Sequence, residues 1–148
     1  MRRHPPARFR FALLALAGLA AIAQLGAMAR PGTAATFLVG TDAACTHDSL
    51  ERAVGAAAAN GPGSDDIRIG LASYTLAGRI EIADQSLRIL GGFASCSAAA
   101  AAGRTTLQRS GGSEAFWVRG GTVQRTFELH GIDVSMGANA RALLLQGW

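Results

Sequence analysis

The sequence predicts an all-β parallel solenoid that carries one capping helix at its N-terminal end and follows a secretory signal peptide. Three observations lead to this prediction. Short apolar runs recur at a near-constant spacing and stop at glycine, one amphipathic helical segment precedes them, and the chain begins with a basic and then an apolar segment. Runs with one apolar face that recur at a fixed spacing indicate stacked repeats, because each run buries that face only against its neighbours.

The first 29 residues have the pattern of a Sec-type signal peptide. Residues 1–10 contain four arginines and no acid, an uncharged apolar segment follows, and Ala27-Met28-Ala29 offers a cleavage site. A second site, Thr33-Ala34-Ala35, allows cleavage as late as residue 35. An uncleaved membrane anchor is the alternative, because residues 11–29 are just long enough to span a bilayer. We therefore expect a protein that is secreted, located at the cell surface or held in the periplasm.

The net positive charge of the sequence comes from this leader. The whole sequence has 14 arginines, no lysine and 10 acids, which gives a formal net charge of +4. Cleavage after Ala29 removes Arg2, Arg3, Arg8 and Arg10, so the mature chain is near neutral. Attraction for nucleic acid needs a basic patch that survives processing. We expect no nucleic-acid partner, and membrane association only through an uncleaved leader.

Four short runs suggest the repeat, and each of them alternates apolar and polar residues as a half-buried strand does. The runs are IRIG at 67, LRILG at 87, LQRSG at 107 and FELHG at 127, which begin 20 residues apart. This spacing predicts that positions 67, 87, 107 and 127 form one inward column and that 68, 88, 108 and 128 form an outward one. Weaker strands are expected at 80–82, 116–118 and 132–134. A small antiparallel sandwich is the alternative, since it also has many short strands.

Glycines follow these runs at the positions where a coil of chain would turn. Gly91-Gly92, Gly111-Gly112 and Gly131 fit such corners, because a sharp bend often needs a positive φ that glycine adopts without strain.

A helix is predicted just before the repeats. Asp48 is a suitable N-cap with Glu51 three residues later, and Asn60-Gly61-Pro62 ends the run. The apolar face is formed by Leu50, Ala53, Val54 and Ala57. A solenoid must cover its first coil, where strand edges are otherwise unpaired, so this helix is expected to be the lid. A partner-binding helix is the alternative.

The two cysteines, Cys45 and Cys96, flank this helix and the second run. In an oxidising compartment two cysteines most often pair, and the bridge would tie the lid to the first coils. A metal site needs more ligands than two cysteines offer. A catalytic thiol would need a nearby histidine, for which His47 is the candidate.

The order of these elements resembles bacterial right-handed parallel β-helix proteins of the pectin-lyase-like superfamily. The segments that carry the resemblance are VGTDAACTHDSLERAV, DDIRIGLASYTLAGRIEI, SLRILGGFASCS, RTTLQRSGG and TFELHGIDV. It implies a right-handed parallel β-helix over residues 36–148, with a cap helix and about four coils. The superfamily includes polysaccharide lyases and hydrolases, phage tailspikes and adhesins, so the resemblance implies a fold and no particular activity.

A β-helix enzyme that acts on acidic polysaccharide needs carboxylates stacked on the outside of neighbouring coils. The predicted outward column contains one acid, Glu128, and Asp65-Asp66 is expected to face water at a turn. His130 and Asp133 both point outward in this register, which makes them weak candidates for a surface site. Phe116-Trp117 is a candidate platform for a sugar ring, although alternation is expected to bury at least one of the two. No catalytic residue, cofactor or metal ligand is predicted.

The segment ALLLQGW at the end of the sequence is apolar and lacks a polar cap. Terminal repeats of solenoids normally cap the stack, so we expect either further coils in a longer protein or an open end that docks on another chain. The function expected is that of a non-catalytic scaffold or binding module, secreted or at the cell surface. Polysaccharide, or another β-helix chain at the exposed last rung, is its candidate partner.

Two other functions fit the same sequence. One is the N-terminal part of a carbohydrate-active enzyme, a polysaccharide lyase or glycoside hydrolase with its catalytic coils downstream. The other is a small secreted structural protein that assembles end to end.

Overall fold

The computed structural model describes residues 32–121 and 123–147. The predicted signal peptide at residues 1–29 lies outside the described residues. Ten strands and one helix are found in the part of the chain described: β1 (Thr36–Val39), α1 (Leu50–Asn60), β2 (Ser64–Gly70), β3 (Ser73–Thr75), β4 (Ile80–Ala83), β5 (Ser86–Phe93), β6 (Thr105–Arg109), β7 (Glu114–Arg119), β8 (Phe127–His130), β9 (Ile132–Met136) and β10 (Arg141–Gln146).

The strands form three parallel sheets. Sheet A has the order β1-β2-β5-β8, sheet B has β3-β6-β9 and sheet C has β4-β7-β10. All the strand pairs in these sheets are parallel. From β2 onward the chain passes from sheet A to B to C three times, and each passage is called a coil below. The predicted mostly-β class, with parallel pairing and one helix, is confirmed.

The core lies between the three sheets and is built by alternation along each strand. In β2 and β5 the residues Ile67, Ile69, Leu87 and Ile89 are fully buried, while the residues between them face outward. Parallel sheets stack these positions directly, so that Ile67 is in register with Ile89 and Leu87 with Phe127. The apolar interior is therefore continuous from one coil to the next.

The predicted column of positions 20 residues apart is confirmed for Leu87 and Phe127, which pair, and is wrong for its other two members. Ile67 pairs with Ile89 rather than with Leu87, and Leu107 lies in sheet B, where it pairs with Tyr74. The connections between strands differ in length from coil to coil, and the segment 94–104 between β5 and β6 is the longest in its coil. Equal spacing of similar runs therefore did not mean that they share a sheet.

Glycines occupy the corners as predicted, with a positive φ at Gly92, Gly112 and Gly131. Gly91 is required for a different reason: a Cβ there would collide with the carbonyl oxygen of Gly131 and with the side chain of Thr105. The close approach of two successive coils thus depends on a missing side chain.

Helix α1 covers the first coil with the face that the sequence predicted, since Leu50, Ala53, Val54 and Ala57 are all buried. Its contacts are with β1, β2 and β4, so it lies over the interior between sheets A and C. It ends at Asn60, where Gly61 has a φ of 102°.

The predicted capping box at the start of α1 is wrong. The N-cap is Ser49 and makes no side-chain cap bond. Asp48 instead pairs with Arg52 at 3.0 Å, and Glu51 accepts a hydrogen bond from the Ala77 N–H at 2.9 Å. Glu51 therefore ties the helix to the turn before β4, a non-local contact that outweighed the local motif.

Within residues 32–121 and 123–147, no helix combines the length and the apolar character that crossing a bilayer would take.

Candidate functional site

Cys45 and Cys96 form the predicted disulfide, with their Cα atoms 5.2 Å apart. Asp42 organises the loop beside it, because its carboxylate accepts the N–H groups of Ala44 and Cys96, both at 2.9 Å. Gly40 lies against both sulfur atoms and leaves room for them. The bridge thus joins the segment before α1 to the segment after β5.

The thiols of this region are both used in the disulfide. Asp42, Cys45 and Cys96 are the one group of three or more metal-ligand residue types that lies close together in the described ranges, but two of its three members form the disulfide. His47, the candidate partner for a reactive thiol, instead shares a 2.8 Å hydrogen bond with Thr46.

Tyr74 lies near this loop. Its burial, and secondly the negative charge of Asp42, raise the pKa of its hydroxyl group.

The outer face of sheet A carries a row of alternating charges. Arg88 donates two hydrogen bonds to Asp66, at 2.6 and 2.7 Å, and lies in register with Glu128 on the next strand. The bonds to Asp66 are the main reason that the pKa of Arg88 is raised. Among the described residues of this row, the two acids are thus separated by Arg88 and do not form a cluster.

His130 and Asp133, the weak surface candidates, each have another partner. His130 Nε2 lies 3.1 Å from a Glu128 carboxylate oxygen, and Asp133 accepts from Arg104 at 2.8 Å. The hydrogen bond from Arg104 lowers the pKa of Asp133. The chain places the two residues at the same corner, on either side of Gly131, without a hydrogen bond between them among the described contacts. Their role as a surface site stays a prediction.

Trp117 lies on the outer face of sheet C between arginines, while its neighbour Phe116 is fully buried. The guanidinium carbons of Arg79 and Arg119 are 4.0 and 4.8 Å from the Trp117 ring centroid. Both arginines also pair with Glu81. The ring is thus already engaged by two cations, which reduces the face available to a sugar.

The two ends of the sheet stack differ. At the N-terminal end the outer edge of β1 is closed by the segment after it. Leu38 donates its N–H to Thr46 Oγ1 at 3.0 Å, and its carbonyl accepts from the N–H groups of Thr46 and His47, both at 2.9 Å. Helix α1 covers the apolar interior beside this edge. Among the described residues the edge of β1 and the core beside it are thus covered, while the outer edges of β3 and β4, the first strands of sheets B and C, have no strand partner.

At the other end, β8, β9 and β10 are the last strands of their sheets. In the part of the chain that the structure describes, no strand pairs with their outer edges. We call these three edges, with the inward side chains beside them, the open end. Unpaired parallel edges of this kind offer N–H and C=O groups to another strand.

The inward columns of the core emerge at the open end. Leu143 and Leu145 are in register with Phe116 and Val118, which are 0% and 3% exposed. Leu143 and Leu145 occupy the same columns yet are 38% and 55% exposed. The half-buried members of the same surface come from β8 and β9: Phe127, Leu129, Ile132, Val134 and Met136. The open end is therefore an apolar surface ringed by unpaired backbone.

Comparisons with protein-family models, with curated proteins and with solved structures found no match to this chain.

Sequence reasoning located the open end through the run ALLLQ and located the disulfide, but it missed the buried carboxylate of Asp65. This residue was expected at a solvent-facing turn and is instead 1% exposed inside β2. One oxygen accepts the Ala35 N–H and the Asn60 amide, at 2.8 and 2.9 Å. The alternation that buries Ile67 and Ile69 also points Asp65 inward, and this was the signal available in the sequence.

Proposed function

We propose that the chain is a non-catalytic scaffold or binding module that works outside the cytoplasm and is built as a right-handed parallel β-helix. The repeated passage from sheet A to B to C, with parallel pairing throughout, supports the β-helix. The likeness of its sequence segments to the pectin-lyase-like superfamily supports the right-handed form, as does the strong preference of parallel crossovers for that hand.

The observation that carries the non-catalytic assignment is the pairing of outward acids with arginines. On the surface of the sheets, Asp66 pairs with an arginine of β5, Glu81 with one of β7, and Asp133 with Arg104 just before β6. Acid–base catalysis or Ca²⁺ binding needs carboxylates that face each other or a common ligand. Surface ion pairs of this kind instead keep the faces of neighbouring coils neutral and solvated.

The Cys45–Cys96 disulfide supports a location outside the cytoplasm, since such bonds persist in oxidising compartments.

Contacts of residues 33–35 favour cleavage after Ala29 over cleavage after Ala35. The Thr33 carbonyl accepts from Asn60, and Ala35 bonds through its N–H to Asp65 and through its carbonyl to Asp66. Cleavage after Ala35 would remove these bonds, whereas cleavage after Ala29 keeps them.

Export is tested by fusing residues 1–35 to alkaline phosphatase, which is active only after it has left the bacterial cytoplasm. We expect activity in cells, and we expect it to disappear when Leu14 and Leu16 are both replaced by Arg in the apolar segment. The mass of the exported mature protein then gives the cleavage site. An inactive fusion, or export that survives both arginines, would contradict the signal peptide.

The scaffold is tested by incubating the exported, disulfide-bonded protein with a panel of acidic and neutral polysaccharides. We expect neither unsaturated products, which a lyase would form, nor new reducing ends, which a hydrolase would form. Turnover that is lost in a Glu81→Gln or an Asp133→Asn variant would reject the scaffold and favour the carbohydrate-active enzyme.

A further inference from the structure

We propose that the open end binds a second copy of this chain, so that two molecules join tail to tail in a closed two-fold dimer. The inference deepens the proposed function, on which it rests, by naming a partner for the scaffold. Three features of the described residues support it: the asymmetry of the two ends, the direction of the unpaired backbone groups, and the charges beside them.

The asymmetry of the ends fixes which surface a second copy can offer. The outer edge of β1 is closed by Thr46 and His47, and α1 covers the interior next to it. At its N-terminal end a second molecule therefore offers neither an open edge of sheet A nor an uncovered apolar core, and α1 stands in the way of head-to-tail growth into a fibre. The second molecule's own open end is the complementary surface that it does have. Contact between identical surfaces is isologous and closes after two subunits.

The backbone of β8 shows how the two edges meet. The Thr126 carbonyl accepts the Leu87 N–H, so it points towards β5. Because backbone groups alternate along a strand, the N–H and C=O groups of Phe127 and Leu129 point away from β5, towards the open side. Two copies related by a two-fold axis bring their β8 strands together antiparallel. Leu129 can then exchange both backbone hydrogen bonds with Leu129 of the second copy.

Charge selects this register over its neighbour. With Leu129 on the axis, Glu128 of each copy lies opposite His130 of the other, and both side chains are on the outer face. The two residues already form such a contact within one chain, at 3.1 Å. A register one residue away would place Glu128 opposite Glu128, and like charges directly across a sheet are destabilising.

The same axis buries the rest of the open end. It maps sheet A onto itself and exchanges sheets B and C, so that β9 of one copy meets β10 of the other when the two stacks are coaxial. The inward residues Ile132 and Val134 then face Leu143 and Leu145. Side chains that are half-exposed in one molecule thus complete a continuous apolar interior through both.

Sedimentation of the exported, oxidised protein over a wide concentration range tests the assembly. We expect a reversible change from the monomer mass to the dimer mass and no larger species. Leu145→Lys should weaken dimerisation by at least about tenfold, because it puts a charge into the apolar contact. Leu71→Lys is the matched control, since Leu71 is 50% exposed but lies between β2 and β3. It should leave dimerisation unchanged.

Cross-linking tests the register. Glu128→Cys and His130→Cys proteins are mixed and oxidised with copper phenanthroline, which joins directly opposite cysteines in preference to the more distant diagonal ones. We expect the mixture to give a cross-linked dimer and each variant alone to give far less. Ala99→Cys, exposed in the segment before β6, is the control and should not cross-link.

Two results would overturn the inference: a monomer at every concentration, or a mass that grows beyond the dimer. Efficient cross-linking of Glu128→Cys with itself, and not with His130→Cys, would overturn the register. Circular dichroism and the absence of free thiols report on the fold separately. A folded, disulfide-bonded monomer would therefore reject the dimer and leave the scaffold standing, whereas polysaccharide turnover would reject the scaffold alone.

Discussion

Asp65 and Asp66 are adjacent in β2 and lie on opposite faces of it, one in the core and one in a surface ion pair. Asp65 is 1% exposed and holds the Ala35 N–H and the Asn60 amide through one oxygen. Its other oxygen has no hydrogen-bond partner among the described residues. Asp66 binds Arg88 on the outer face of sheet A. The two adjacent aspartates therefore have different roles, one as a hydrogen-bond acceptor inside the fold and one as a surface ion-pair partner.

Replacing each of them by alanine should separate these roles. Asp65→Ala leaves two partly buried donors without their acceptor and should lower the free energy of unfolding by about 1–3 kcal/mol. Asp66→Ala breaks a partly exposed ion pair and should cost about 1 kcal/mol or less. Urea unfolding of the two variants measures the difference. Equal losses would mean that Asp65 does not hold the chain before β1 in the way described.

Removing the disulfide should destabilise the fold by about 4 kcal/mol, the value that loop closure of this length gives on the chain-entropy model. The Cys45→Ala/Cys96→Ala double variant tests this in urea. Wild-type protein under reducing conditions serves as the control, and both should lose a similar amount. A loss confined to the reduced wild type would point to the free thiols rather than to the missing bond.

Two glycine substitutions should change stability in opposite directions. Gly91→Ala pushes a methyl group against the Gly131 carbonyl and should cost about 1–3 kcal/mol, as overpacking does. Gly55→Ala lies on the exposed side of α1 with nothing nearby, and should gain about 0.5–1 kcal/mol from helix propensity. Thermal melts of both variants measure the signs. A Gly91→Ala protein as stable as the wild type would contradict the close approach of the two coils.

The pKa of Asp133 should rise towards its ordinary value when Arg104 is replaced by glutamine. Arg104 lowers this pKa mainly through its hydrogen bond. A carboxyl group whose pKa is lowered on folding adds stability above its unfolded pKa and loses it as the pH falls through the folded value. Carbon-detected NMR titration of the Asp133 carboxyl gives the shift directly. Arg68→Gln is the control and should leave Asp133 unchanged, while an unshifted Asp133 in Arg104→Gln would rule out the pairing in solution.

Local patterns in the sequence predicted which face of each strand is buried, because side-chain alternation depends only on neighbouring residues. Ile67, Ile69, Leu87 and Ile89 all face the core as the alternation indicated. The sheet that a strand joins depends on the lengths of the connections, which are non-local. Leu107 was therefore assigned to the wrong sheet.

The same distinction applies to polar residues. The disulfide was predictable because two cysteines allow one pairing, and the exposed leucines of β10 were indicated by the apolar run ALLLQ. The start of α1 was misassigned from Asp48 because Glu51 binds Ala77, far along the chain, rather than capping its own helix. Asp65 was misplaced for a similar reason, since the donor that favours its burial, the Ala35 N–H, is distant in sequence.

The Cys45–Cys96 bond also determines what a protease can achieve. It encloses the exposed turn at Leu71 between β2 and β3. A cut there would divide the polypeptide, yet both pieces would remain one covalent molecule until a reductant acts. Because β2 and β5 lie on the two sides of that cut and pair with each other, the nicked strands would stay in register. In an environment that contains proteases, a cut at this turn would therefore leave the three sheets assembled.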